Sequence, residues 1–307
     1  MKRANERHVP VLLQDAIRYL NVRAGGTYVD ATLGLGGHSE AIARRLGGQG
    51  RLIAFDRDPE AIELARARLE ELARELGPEM PELALYGEEF SMLSRRVKEA
   101  SLDGLLADFG TSSLQLEEAH RGFSFQAEGP LDMRADPRKG ITAEQVVNQA
   151  DEKELANLIY EFGEERSSRR FARAIVRARP IMTTAQLARV ISAVAPAMKS
   201  GRSRQHIHPA TRVFQALRIY VNAELEEIEA LLAASVRLLK PGGRLVVISF
   251  HSLEDRLAKD ALRDGARQGV FEVLTRKPVT ASEEEMDRNP RSRSSKLRAA
   301  ERTTKEI

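Results

Sequence analysis

Short apolar runs alternate with amphipathic helical stretches along the first third of the chain, and this rhythm admits few folds. Thr27 to Ala31, Arg51 to Phe55, Leu83 to Tyr86 and Leu102 to Phe109 read as strands, with Ser39 to Leu46 and Glu60 to Leu76 as helices between them. Strands joined through helices pair in parallel, and the crossover helices cover the sheet. The alternation stops after Asp108-Phe109-Gly110. Residues 111–208 show loop and short helices only, among them Asp151 to Phe162, Ser168 to Arg179 and Thr184 to Val194. A long helical pattern from Pro209 to Leu239 then ends at Lys240-Pro241-Gly242-Gly243, a stop-and-turn signal leading into the strand Arg244 to Phe250. A helix (Ser252 to Arg263), a strand near Phe271 to Thr275, a polar acidic loop and a basic segment (Arg288 to Arg302) follow. Two late strands pairing as a hairpin complete a seven-stranded sheet. The expectation is an α/β domain of residues 1–110 and 209–307, interrupted by a helical domain of residues 111–208.

With 307 residues, 42% of them hydrophobic, the chain can bury one large core and a smaller second one. It has no cysteine, which excludes disulfides, thiolate nucleophiles and cysteine metal sites. No apolar run approaches the roughly 18 residues that span a bilayer, and Met1 to Val9 is charged, so a cytoplasmic protein without membrane attachment is expected. The net charge of +3 conceals a segregation. Arg166 to Ala223 holds twelve Lys or Arg and no Asp or Glu, while the rest of the chain carries all 45 acidic residues. An acid-free basic segment of this length suits a polyanion; a merely solvated helical face is the alternative. Within it Arg169, Arg173 and Arg177 are spaced to share one helical face.

The sharpest local signal is Asp30-Ala31-Thr32-Leu33-Gly34-Leu35-Gly36-Gly37-His38, between a strand and a helix. Glycines let backbone turn tightly and approach a ligand closely. A dinucleotide fingerprint asks for a third glycine where Ser39 stands, which weakens a pyrophosphate reading and with it a nicotinamide dehydrogenase. What remains resembles an S-adenosylmethionine loop, in which an acid at the strand end can face a cationic ligand. Asp56 ends the second strand, where nucleoside-binding α/β folds place a carboxylate on the ribose. It could also cap the next helix, but Asp58-Pro59 already supplies a cap with proline at the first helical position. Asp108 ends the fourth strand along the same edge, where ligands of open α/β sheets sit.

Several longer motifs carry a resemblance. They are His8-Val9-Pro10-Val11-Leu12-Leu13, Asp108 to Leu116, Arg121-Gly122-Phe123-Ser124-Phe125 and Gly129-Pro130-Leu131-Asp132-Met133-Arg134. His206-Ile207-His208-Pro209-Ala210-Thr211-Arg212, Phe214 to Ile219 and Ser249 to Arg256 extend it, so that it runs from residue 8 to about 298. The chain strongly resembles the bacterial 16S rRNA cytosine-N4 methyltransferases. The resemblance implies a Rossmann-like class I methyltransferase domain, seven-stranded and mostly parallel, interrupted by a helical RNA-recognition domain. It implies S-adenosylmethionine contacts at Gly36, Gly37, His38, Asp56, Phe90, Asp108 and Gln115. It also implies transfer to the exocyclic N4 amine of a cytosine in the decoding region. Arg134, Arg169, Arg173, His208 and Arg212 are the candidate substrate contacts. The implied partner is 16S rRNA in the assembled or nearly assembled small ribosomal subunit, with a homodimer left open.

A cytosine amine is a weak nucleophile, because its lone pair is delocalised into the ring, so positioning and a hydrogen-bond acceptor beside it should supply the rate. Asp108, or a backbone carbonyl next to it, is the candidate acceptor. His251 could orient the base or take a proton, and could equally cap the following helix. Phe109, Phe123, Phe125 and Phe250 could stack on an extruded base or simply fill cores. No metal is expected, since His206 and His208 have no third ligand type near them in sequence. A non-catalytic RNA-binding assembly factor, using the basic segment alone, is the rival of a different class.

Overall fold

The structure, a computed structural model, describes residues 10–196 and 208–305, so His8 and His206 lie outside the described residues. The chain divides into two units, Met1–Gly110 with Leu225–Ile307, and Thr111–Glu224.

The first unit opens with α1 (Leu13–Leu20), then β1 (Thr27–Asp30), α2 (Gly37–Leu46), β2 (Arg51–Phe55), α3 (Pro59–Leu76), β3 (Glu82–Tyr86), the short α4 (Leu93–Arg96) and β4 (Leu102–Asp108). The helical unit holds α5 (Ser113–Glu117), α6 (Ala143–Gln149), α7 (Glu152–Gly163), α8 (Ser168–Ala178), α9 (Thr184–Val194) and α10 (Ala210–Asn222). The first unit resumes with α11 (Glu224–Leu238), β5 (Leu239–Ser249), α12 (Ser252–Arg267), β6 (Phe271–Val273), α13 (Glu283–Arg288) and β7 (Lys296–Arg302).

The seven strands lie in the order β3-β2-β1-β4-β5-β7-β6. β1 through β5 pair in parallel, and β7 runs antiparallel to both β5 and β6. Successive residues of a strand point to opposite faces, and both faces here are buried. Ile53 and Phe55 join Val29, Leu105 and Val247 in one core, which α11 closes with Ile228, Leu231 and Leu232. Leu52 and Ala54 join Tyr28, Leu106 and Val246 in the other, closed by α1, α2 and α3 with Leu20, Ile42 and Leu69. This is why the strands read as continuous apolar runs. At the amino-terminal edge the Asp103 carboxylate accepts from Thr27 N and from Lys240 Nζ, both at 2.8 Å, and so ties β1, β4 and β5 together.

The helical unit has its own core, in which Leu155 and Ile159 of α7, Phe171 and Ile175 of α8, Leu187 and Ile191 of α9, and Val213 and Leu217 of α10 are buried together. Here the structure departs from the expected boundaries. The single helix from 209 to 239 is two helices, broken at Ala223 in the left-handed region (φ 47), and α10 packs into the helical core. The helical unit therefore runs on to Glu224 instead of ending at 208. Lys240-Pro241-Gly242-Gly243 does not precede β5 but forms an irregularity within it, between the pairs Leu102↔Leu239 and Gly104↔Arg244. The acidic loop contains α13. Among the described residues no helix is long and apolar enough to cross a membrane.

Candidate functional site

β1, β2, β4 and β5 are parallel, so Asp30, Asp56, Asp108 and Ser249 come to one edge of the sheet. The glycine loop between β1 and α2 lies along it. Gly34 (φ 49) and Gly36 (φ 77) take the left-handed conformation, and Gly36 is the residue from which α2 starts. Gly37 is glycine for packing: a Cβ there would fall 2.3 Å from Pro10 Cγ. Asp30 is wholly buried and accepts from Ser39 Oγ at 2.6 Å and Thr32 N at 3.1 Å. It thus staples the loop to the sheet, and Ser39, the residue that spoiled the dinucleotide spacing, is its partner. Thr32 carries the linkage onward by accepting from Asp108 N through Oγ1 at 2.6 Å.

Asp56 accepts from Gly34 N (2.8 Å) and Asp58 N (2.9 Å), while Asp58 caps α3 through Glu60 N. Asp58 is thus the cap of α3 that the sequence offered, and Asp56 is not needed for it. Burial pushes the Asp56 carboxyl up to about 6, against the two amides that hold its charged form.

Asp108 is likewise half-buried. Its Oδ1 is buried and has no hydrogen-bond partner among the described residues. Burial raises its pKa well above the usual carboxylate range, and the negative neighbours Asp30 and Glu254 act in the same direction. His38 faces Asp108 Oδ2 through Nδ1 at 3.8 Å. The His38 Nε2 lies 3.1 Å from the Val11 carbonyl, which can only accept, so the ring proton is on Nε2 and Nδ1 is bare. Burial lowers His38 to about 4 and keeps the ring neutral. A bare nitrogen facing a carboxyl oxygen favours the protonated carboxyl. The edge is thus lined by three strand-end acids, Asp30, Asp56 and Asp108, each with a raised pKa.

Of the two readings of His251, the structure shows the cap. Its Nδ1 faces Glu254 N at 3.5 Å at the start of α12, and its Nε2 lies 3.0 Å from Glu254 Oε1. The Glu254 Oε2 in turn accepts from Phe250 N at 2.7 Å and His251 N at 3.2 Å. Despite this approach the buried His251 Nε2 makes no hydrogen bond among the described residues. Glu254 and Thr32 are residues to which sequence reasoning gave no role; the reciprocal cap His251-x-x-Glu254 was the available signal for the first. Phe90 opens a single turn of 3-10 helix with its ring 6.3 Å from that of Phe109. Phe109 and Phe123 are buried in cores, whereas Phe250 is half-buried and packs over Gly110.

The remaining candidates belong to the helical unit. Gln115 is buried and reciprocally caps α5 with Ser112. Arg134 is held by Asp132 through Nε (2.8 Å) and Nη2 (2.7 Å). Arg169 and Arg173 are exposed on α8, and Arg173 reaches Glu152 at 3.3 Å. Arg212 approaches the Glu164 carbonyl and the Glu165 carboxylate. His208 accepts from Ala210 N and packs its ring 4.7 Å from Phe125.

A doubly covered sheet in this order, with one reversed strand and a glycine loop after β1, is the class I, S-adenosylmethionine-dependent methyltransferase architecture. The model of the MraW methylase family matches residues 5–303, and the chain belongs to that family. Ribosomal RNA small subunit methyltransferase H of Acidobacterium capsulatum is 74% identical over 297 residues, covering 97% of this chain and 99% of the relative. The protein of the same name from Koribacter versatilis is 62% identical, covering 96% and 94%. Among solved structures, an rRNA methylase from Streptococcus thermophilus is similar at a TM-score of 0.42 and 13% identity, covering 97% of this chain and 99% of that one.

Proposed function

We propose that the chain methylates the exocyclic N4 amine of a cytosine in the decoding region of 16S rRNA, using S-adenosylmethionine. The relatives' name supports ribosomal RNA of the small subunit as substrate. The observation that carries the amine assignment is Asp108, a half-buried carboxyl at the sheet edge with a raised pKa and a buried, unpartnered Oδ1.

This edge fits the cofactor. Two left-handed glycines keep side chains out of the loop, Asp56 offers a half-buried carboxylate to a ribose, and the acids suit a positively charged ligand. We assign Gly36, Gly37, His38, Asp56, Phe90, Asp108 and Gln115 to holding it, with Gly37 and His38 acting through their backbone. When bound, S-adenosylmethionine supplies an electrophilic methyl group. Asp108 Oδ1 accepts a hydrogen bond from the amine, which orients the nitrogen lone pair. It then takes the proton that the amine loses as the N–C bond forms and the methyl–sulfur bond breaks; the ionised carboxylate that this requires is favoured beside a sulfonium charge, and a raised pKa makes it the better proton acceptor. His251 and Glu254 position Phe250 beside this acid, while Arg134, Arg169, Arg173, His208 and Arg212 hold the RNA.

Asp108→Asn tests the assignment. Methyl transfer, followed with a labelled methyl donor, should fall by about 10²- to 10⁴-fold, the usual worth of a positioned acid or base. RNA affinity should remain near wild type. Unimpaired transfer removes Asp108 from the chemistry, and a chain that binds RNA but no S-adenosylmethionine in a calorimetric titration is an assembly factor instead.

A further inference from the structure

The segment Asp132-Met133-Arg134-Ala135-Asp136-Pro137-Arg138 repeats one device. Asp132 Oδ1 accepts from Arg134 N at 3.0 Å and from Arg134 Nε at 2.8 Å, and Asp132 Oδ2 accepts from Arg134 Nη2 at 2.7 Å. Four residues on, Asp136 Oδ1 accepts from Arg138 N at 3.0 Å and from Arg138 Nε at 2.8 Å, and Asp136 Oδ2 accepts from Arg138 Nη2 at 3.0 Å. The same three donors therefore meet the same two acceptors twice. Each carboxylate is held below its ordinary pKa by its arginine, against a smaller or larger cost of burial, so both forks are ionised at neutral pH.

The backbone between the forks is fastened from beneath. Leu131, Met133 and Ala135 are buried, Asp132 and Arg134 between them are half-buried, and Asp136 is buried while Arg138 is exposed. Met133 has φ 62, a left-handed conformation unusual for a side chain of its size. Its N–H donates to the Arg121 carbonyl, and its carbonyl accepts from Asn222 Nδ2 at 2.7 Å. Asn222 Oδ1 takes Ala135 N at 2.8 Å, and Arg121 Nη2 donates to the carbonyls of Arg134 and Ala135. Arg121 and Asn222 are themselves buried. A strained residue held on both sides by buried polar groups marks a loop whose shape is imposed by the fold.

A guanidinium whose Nε edge is locked on a carboxylate still has its Nη1–Nη2 edge, with two parallel N–H bonds that match a phosphate. Arg138 is 62% exposed and Arg134 21%. Because each arginine is paired, its own charge is largely offset by its carboxylate, and at the second fork Lys139 also lies 3.7 Å from Asp136. What a fork offers is direction, at little entropy cost on binding. We infer that Arg134 and Arg138 form a preset clamp for the phosphodiester backbone of the RNA, aimed by Asp132 and Asp136, with Arg121 and Asn222 as positioning residues. The inference rests on the RNA-modifying reading above. It separates two uses of arginine in the helical unit: shape recognition at the forks, and long-range attraction along α8.

The test measures binding of the full chain to a fluorescently labelled single-stranded RNA oligonucleotide by anisotropy over a range of salt. The double variant Arg134→Lys/Arg138→Lys keeps both charges but loses the planar edges. It should bind about tenfold more weakly or worse, with the salt slope of wild type. The variant Asp132→Asn/Asp136→Asn frees the guanidiniums and adds net positive charge. It should nevertheless bind no tighter than wild type. A lysine variant that binds like wild type, or an asparagine variant that binds more tightly, overturns the clamp. Melting temperature and S-adenosylmethionine affinity of the same preparations report folding; if the asparagine variant fails to fold, the lysine variant decides. Wild-type protein that leaves RNA free in solution overturns the RNA-modifying reading as well, whereas firm wild-type binding with an unaffected lysine variant overturns the clamp alone.

Discussion

Ser39→Ala removes the hydroxyl that faces Asp30, and its effect can be worked out from the structure. The Ser39 hydroxyl donates to Asp30 at 2.6 Å, and both residues are fully buried, so solvent cannot take its place. Burial already drives the Asp30 carboxyl up, and the Ser39 hydroxyl is the largest influence opposing it. A hydrogen bond to a charged group contributes about 1.5–3 kcal/mol, and leaving a buried acceptor short of a donor costs a similar amount. At roughly 2–4 °C per kcal/mol for a domain of this size, the variant should melt about 3–12 °C below wild type at neutral pH. The deficit should shrink in acid, where a protonated Asp30 no longer depends on a charge-assisted bond. Circular-dichroism melting of both proteins at several pH values reads this directly. An unchanged melting temperature, or a deficit that does not vary with pH, would refute the view that Asp30 and Ser39 staple the loop. Ser39→Gly serves as a companion: it restores the Gly34-x-Gly36-x-x-Gly spacing and should still acquire no affinity for NAD.

Asp56→Ala should weaken S-adenosylmethionine binding by roughly 1.5–3 kcal/mol if the ribose hydroxyls lose a charged acceptor, and equal calorimetric affinities would remove Asp56 from the site. His38 is neutral when folded, with its pKa lowered to about 4 from 6.5. Its contribution to stability is therefore complete above pH 6.5, where unfolded histidine is also neutral, and is lost as pH falls through 4. The span corresponds to at most about 3 kcal/mol. Denaturation midpoints of His38→Gln should fall less steeply than wild type over that window. Replacing Arg169, Arg170, Arg173 and Arg177 with Gln should flatten the salt dependence of RNA binding by about 0.7–0.9 in log–log slope for each phosphate that an arginine no longer neutralises. S-adenosylmethionine affinity should hardly change, and an unaltered slope would mean these arginines do not meet phosphates.

How much could be read beforehand depended on whether a signal was local. The parallel strands were legible because burial on both faces leaves unbroken apolar runs, and α9 matched its expected residues because Thr183 and Gln186 form a reciprocal cap. The break at Ala223 was not legible: neither glycine nor proline marks it, and the chain turns there because α10 and α11 pack into different cores. In the site, Asp56 and Asp108 were recognisable from their places at strand ends. The partnership of Asp30 with Ser39, and the bond from His38 to the Val11 carbonyl, depend on how α2 docks and have no pattern in the sequence. The forks lay in plain view as Asp-x-Arg, yet residues two apart meet only if the backbone turns, and that turn is imposed by Arg121 and Asn222 from distant segments.

The central claim is tested most directly by the chemical identity of the product. Small-subunit ribosomal RNA is incubated with the protein and S-adenosylmethionine carrying a deuterated methyl group, digested to nucleosides and analysed by mass spectrometry. The account predicts a labelled methyl on the N4 nitrogen of cytidine, and its loss with Asp108→Asn. A label found on a ring carbon or a ribose hydroxyl, or no label in RNA that the protein demonstrably binds, would contradict it.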